Sequence, residues 1–130
     1  MSYFVEAEER IPVMYRFCRE SGQEEIYTLL HDLGLVGEHT YFFHTAYALR
    51  LALKNPQRLC CVTKWLYPEV ACHYDTTTAA VERNLRIAAS LAWERSPHLL
   101  ERMAGRPLKR CPASRFLAIL ADHLNKNRAA

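Results

Sequence analysis

Apolar side chains recur every three or four residues along most of this 130-residue sequence, and that spacing leaves room for little besides helices. Gln23 to Leu33 sets Ile26, Leu29, Leu30 and Leu33 on one side, an amphipathic stripe that must be covered. Gly34 and Gly37 end it, since glycine accepts the left-handed geometry of helix ends. A longer helix is expected from about Glu38 to Lys54, with Tyr41, Phe42, Phe43 and Tyr47 packed in the core. Pro56 fits the first turn of a short helix reaching Lys64, where its missing N–H costs nothing, and Pro68 opens a segment to about Tyr74. Thr76, Thr77 and Thr78 offer hydroxyl caps to a helix over 78–95. Ser96-Pro97 stops that helix and starts another to about Ala104. After a loop at Gly105-Arg106-Pro107, Ser114 is the expected cap of a last helix through Leu124. Strand candidates are confined to Tyr3-Phe4-Val5 and Val13-Met14-Tyr15. The expected fold is therefore all-α, a compact bundle of six or seven short helices. It occupies residues 23–130, behind an acidic arm or extra helix over 1–22.

Several classes fall away. No stretch approaches about 18 uninterrupted apolar residues, which excludes a membrane-spanning helix. Met1 to Glu6 shows no basic region followed by an apolar one, so a cytoplasmic protein is expected. Cys18, Cys60, Cys61, Cys72 and Cys111 have no paired spacing and are read as reduced, small buried thiols. His31-Asp32, His39 and His44 lack the partners of a metal hydrolase, and the step from His39 to His44 does not align two ligands on one helical face. No glycine-rich phosphate loop, nucleophile elbow or paired-carboxylate site is visible, so neither an enzyme nor a cofactor nor a metal site is expected. Trp65 and Trp93 are read as packing residues.

Charge is uneven. Residues 1–38 carry three basic and eight acidic groups, net −5, including the Glu6, Glu8 and Glu9 run. Residues 76–115 carry Arg83, Arg86, Arg95, Arg102, Arg106, Lys109, Arg110 and Arg115 against three glutamates, net +5. Such asymmetry within one small domain implies a basic face.

That basic stretch contains the informative segment. Val62 to Tyr74, then Asp75-Thr76-Thr77, then Thr78 onward reads as helix, tight polar turn, second helix. Leu66, Val70 and Tyr74 of the first can pack on Val81, Leu85, Ala88 and Ala92 of the second. Glu82, Arg83 and Arg86 then lie on the outer face. Two guanidinium groups and a carboxylate from the first turns suit the major groove, because Arg pairs bidentately with guanine and Glu accepts from the cytosine amino group. Asp75 stands where a helix-turn-helix commonly has Gly, and Asp can hold a turn by bonding its own backbone.

With these landmarks, the run Leu66 to Ala71, Thr76-Thr77, Val81-Glu82-Arg83, Arg86 and Ala92-Trp93 resembles the C-terminal DNA-binding effector domain of the stage-zero sporulation response regulator. The similarity runs from about Ile26 to Leu124 and takes in His31 to Gly34, Thr63-Lys64, Phe116 to Ala118 and Ala121-Asp122. The resemblance implies an all-helical domain that binds double-stranded DNA as a homodimer or tandem dimer. It implies base contacts from Glu82, Arg83 and Arg86, and neighbouring contacts from Thr76, Thr77, Thr78, Thr63 and Lys64. Two departures stand out. Ala79 and Ala80 replace the family's Ser-Arg, and Ile87 replaces its His. The residues before Ile26 are too few for the family's receiver domain, so either constitutive binding or control by a regulatory protein partner is expected. The Ala79-Ala80 departure also keeps open an alternative: an interaction or antagonist module with weak or no DNA readout.

Overall fold

The helix over Thr40–Lys54 is apolar on nearly every side, and ten of its fifteen residues are buried. A helix of that kind cannot lie on a surface; other helices must enclose it. The computed structural model describes residues 23–129. The acidic arm, both strand candidates and Cys18 lie outside the described residues. Among the described residues there are seven α-helices, one 3-10 turn and no strand. In chain order they are α1 (Gln23–Asp32), α2 (Thr40–Lys54), the 3-10 turn (Pro56–Cys60), α3 (Val62–Trp65), α4 (Tyr67–His73), α5 (Thr78–Arg95), α6 (Pro97–Ala104) and α7 (Ala113–Ala129). The all-α bundle expected from the periodicity is what forms.

Around α2 pack α1, α5, α7, α4 and the 3-10 turn, with α5 making the broadest contact. Phe42 and Leu49 of α2 meet Leu30 and Leu33 of α1, Leu85 of α5 and Phe116, Leu117 and Leu120 of α7 in one core. Tyr27 tilts against Phe42 at 5.4 Å between ring centroids and meets Phe43 edge-on at 6.5 Å. Offset and edge-on rings of this kind are the favoured arrangements of the aromatic quadrupole. The aromatic band of α2 is thus core, with Tyr47 only partly covered.

Some local expectations need correction. The segment from Pro56 to Lys64 is not one helix but a 3-10 turn, a break at Cys61 and the short α3. Likewise α3 and α4 are separate, with Leu66 between them. Pro68 lacks an N–H for the Lys64 carbonyl and its ring would crowd that group, so a continuous helix cannot pass. Ser114 lies inside α7 rather than capping it. The Phe116 N–H already donates to the Pro112 carbonyl (2.8 Å), and α7 continues past Leu124 to Ala129. Cys60, Cys61 and Cys72 are exposed; among the described residues only Cys111 is a buried thiol. They sit on short elements whose few apolar positions are spent on Val62, Tyr67, Val70 and Ala71.

Three helices, α1, α4 and α6, end the same way. After α1, the Leu35 N–H reaches the Leu30 carbonyl (3.0 Å) and the Gly34 N–H reaches that of His31 (2.9 Å), with Gly34 at φ +91°. After α4, the Thr76 N–H reaches the Ala71 carbonyl (2.9 Å) and the Asp75 N–H that of Cys72 (3.3 Å), with Asp75 at φ +56°. After α6, the Arg106 N–H reaches the Glu101 carbonyl (3.3 Å) and the Gly105 N–H that of Arg102 (3.3 Å), with Gly105 at φ +76°. This paired bonding satisfies the last carbonyls of a helix and requires a left-handed residue. Among the described residues Asp75 alone adopts it without being glycine. A Cβ at Gly34 would also lie 3.1 Å from Arg95 Cβ and Cδ, so that corner admits no larger residue without movement.

Asp and Ala carry the same Cβ into left-handed geometry, but the short polar side chain of Asp can offset the strain by bonding locally, which alanine cannot do. Asp75→Ala is therefore expected to lower stability by about 1 kcal/mol, and Asp75→Gly to leave it unchanged or raise it. Urea denaturation of the three proteins checks the order.

Candidate nucleic-acid interface

α5 is positioned by one ridge. Val81, Leu85, Ala88, Ala89 and Ala92 are buried, and they fix the rotation of the helix about its axis. They face Leu66 and Val70 of α3–α4, both fully buried, and the α2 core. Alanine at 88, 89 and 92 leaves the α5 and α2 backbones room to approach. Tyr74, the third apolar position read from the sequence, is only partly covered, and its hydroxyl donates to the Phe43 carbonyl of α2 (3.3 Å). This bond holds the turn between α4 and α5 against the central helix.

The start of α5 is the one read from the residues. Thr77 is extended (φ −98°, ψ 157°), and its Oγ1 accepts from the Ala80 N–H at 3.1 Å. Thr76, Thr77 and Thr78 are exposed beside this helix terminus. The Thr77 hydroxyl keeps its proton for a further acceptor. Thr63 and Lys64 of α3 are exposed as well, and Lys64 Nζ lies 5.4 Å from the centre of the Trp65 ring. Trp65 itself is 56% exposed, against the packing role expected of it; Trp93 does pack on the core. The four-residue α3 turns this indole outward while Val62 goes in.

Opposite the buried ridge, α5 presents Ala79, Arg83, Arg86, Ile87 and Ser90, all exposed. Arg86 Nη1 pairs with Glu82 Oε2 at 3.1 Å, one helical turn back. An exposed pair at this spacing contributes only about 0.3–0.5 kcal/mol, so it opens readily to a better partner. Arg83 has no hydrogen-bond or ion-pair partner among the described residues. Beneath the pair lies Tyr67, whose hydroxyl is pushed up to about 12 by burial and next by the Glu82 carboxylate. Ala79 and Ala80 put no bulk or charge at the helix entrance. Arg106, Lys109 and Arg110, in the loop before α7, are exposed too.

The middle and end of α5 are tied down by polar contacts that the sequence did not disclose. The Asn84 amide Nδ2 donates to Nδ1 of His44 on α2 (3.2 Å), which requires a neutral imidazole with its proton on Nε2. Burial lowers the pKa of His44 to about 4. At the far end Ser96 Oγ donates to the Leu33 carbonyl (3.1 Å) and Arg95 Nη1 to the Gly34 carbonyl (2.6 Å). His31 and His39 are exposed and contact Phe42 and Tyr41 through their rings. No three of the described His, Cys, Asp and Glu residues converge as a metal-binding group. None of the described helices is long and apolar enough to cross a membrane.

Compared with known families, residues 26–124 match the model described as the C-terminal domain of the sporulation initiation factor Spo0A. The matched stretch spans α2 to α6 entirely, with most of α1 and α7.

The His44 tie has a pH signature. Its folded-state value, about 4, is below the ordinary 6.5, so an unfolded chain binds a proton that the folded one refuses. The contribution is complete above pH 6.5 and lost as pH falls toward 4. His73 is lowered by burial, then by Arg50, and acts in the same direction. Thermal unfolding between pH 7 and 4.5 is expected to show Tm falling with pH, with a shallower slope for His44→Gln.

Proposed function

The chain belongs to the family of the sporulation initiation factor Spo0A C-terminal domain, a DNA-binding transcription-factor family and not an enzyme family; from that premise we propose that it is a sequence-specific, cytoplasmic transcription regulator. The region from residue 23 onward is the DNA-binding effector domain in this reading. α5 enters the major groove of double-stranded DNA, and residues 77–95 are its recognition helix. The observation that carries the reading is the outward stripe of α5, where Arg83 is exposed and, among the described residues, unpartnered, opposite the ridge that anchors the helix.

Each group then has a chemical task. Arg83 offers a bidentate fork to guanine O6 and N7. Glu82 accepts from a cytosine amino group, and Arg86, released from it, turns to a second guanine or to a phosphate. At the helix start, Thr76, Thr77 and Thr78 donate to backbone phosphate, where the positive end of the helix dipole favours an anion. Thr63 and Lys64 contact the phosphates on the other side of the turn and set the register rather than the sequence. Repeated DNA boxes would seat two copies side by side, as a homodimer or tandem dimer.

Selection from a random duplex library, followed by fluorescence anisotropy on the recovered site, tests the proposal. Arg83→Ala is expected to lose about 1–3 kcal/mol and to relax the preference at one base position. Lys64→Ala is expected to weaken every sequence alike and to reduce the salt slope by about one. Folded protein that retains no duplex at low salt would defeat the reading.

A further inference from the structure

We propose that Ile87 determines specificity by packing on the C5-methyl group of a thymine in the site bound by α5. The inference rests on the reading of α5 as a recognition helix and deepens it. Three large hydrophobic side chains are exposed among the described residues, Val36, Trp65 and Ile87, and the last is 39% exposed in the third turn of α5. Its neighbours toward the helix start are Arg83, one turn earlier, and Arg86, while Ala79 sits a further turn back on the same stripe. The buried ridge of Val81, Leu85, Ala88 and Ala92 lies on another side of the helix, and Ile87 is not part of it. A β-branched residue is also a poorer helix former than the alanines around it. Helix propensity does not account for isoleucine at this position, and 39% of its surface is left to solvent.

The chemistry of the groove does account for it. Isoleucine has no donor or acceptor, so it cannot read the polar edges of guanine, cytosine or adenine. The thymine methyl is the one apolar feature that a base pair presents in the major groove. Four residues of helix advance about 6 Å, close to two base steps of about 3.4 Å each. A guanine held by Arg83 therefore places Ile87 over a base one to two steps away. Ala79 and Ala80 keep the entrance of the helix free of bulk, which permits the close approach that a methyl contact needs. Removing one methyl group from such a contact is worth about a three- to tenfold change in affinity.

The experiment uses the full chain and the duplex it selects from a random library. That duplex is resynthesised with deoxyuridine in place of each thymidine in turn, which deletes only the C5-methyl group. Dissociation constants are measured at fixed salt for the wild type, Ile87→Val and Ile87→Ser, with folding checked by circular dichroism. For the wild type, one thymine within two steps of the guanine lost to Arg83→Ala is expected to weaken binding three- to tenfold when replaced. Ile87→Val keeps that preference, and Ile87→Ser binds the two duplexes equally. A wild type indifferent to every replacement in a site it binds specifically overturns the inference, as does a preference that survives in Ile87→Ser. Failure to select any duplex is a different result, and it overturns the DNA-binding reading together with this inference.

Discussion

Everything in this fold answers to the need to enclose α2. Phe42, Ala48 and Leu49 are wholly removed from solvent, and Tyr41, Phe43, Leu51 and Ala52 are nearly so. No single partner helix covers a cylinder on so many sides. The chain therefore returns to α2 repeatedly, with α1, the 3-10 turn, α4, α5 and α7 each taking a face. Burial of large side chains is the dominant favourable term in folding, at roughly 1.5–3 kcal/mol for each fully covered Leu or Phe. The short, broken helices between Pro56 and His73 are the means by which the chain turns corners tightly enough to stay against α2.

Polar contacts do a different job: they fix where α5 sits. Hydrophobic packing along Val81, Leu85, Ala88 and Ala92 resists rotation but would tolerate a slide along the axis. The Thr77 cap, the Asn84–His44 bond and the Arg95 and Ser96 bonds to the α1–α2 corner remove that freedom at the start, middle and end. All of them lie off the outward stripe. The face of α5 that carries Arg83, Arg86 and Ile87 is thus presented by a helix with both its rotation and its height set. That is the preorganisation a base-reading surface needs, because each bidentate contact depends on position within a fraction of an ångström.

The sequence was most legible where local chemistry and tertiary packing agree. The bounds of α5 follow from Thr77, Ser96 and Pro97, and the ridge of buried residues follows from the 3.6-residue period. Asp75 was also correctly placed in the turn, since Asp accepts left-handed backbone. Legibility failed between Pro56 and His73. There the elements run only four to seven residues, too short for a period to establish which side faces in. Trp65, expected to pack, is turned out to solvent by α3. Cys60, Cys61 and Cys72, expected inside from the general burial of reduced thiols, are exposed on these short elements. The His44–Asn84 bond spans forty residues of chain, and no local pattern announces it.

The order of the helices along the chain bears on how the molecule is made. Vectorial synthesis delivers α2 early, then α4 and α5, which already have their binding faces on it. Of the described helices α7 is made after the others, and it supplies Phe116, Leu117 and Leu120 to the core. Until that helix has left the ribosome, one flank of α2 stays uncovered, with apolar side chains facing water. A nascent chain halted near Cys111 thus displays a complete helix-turn-helix over an open core, a form suited to capture by chaperones before it is suited to any partner.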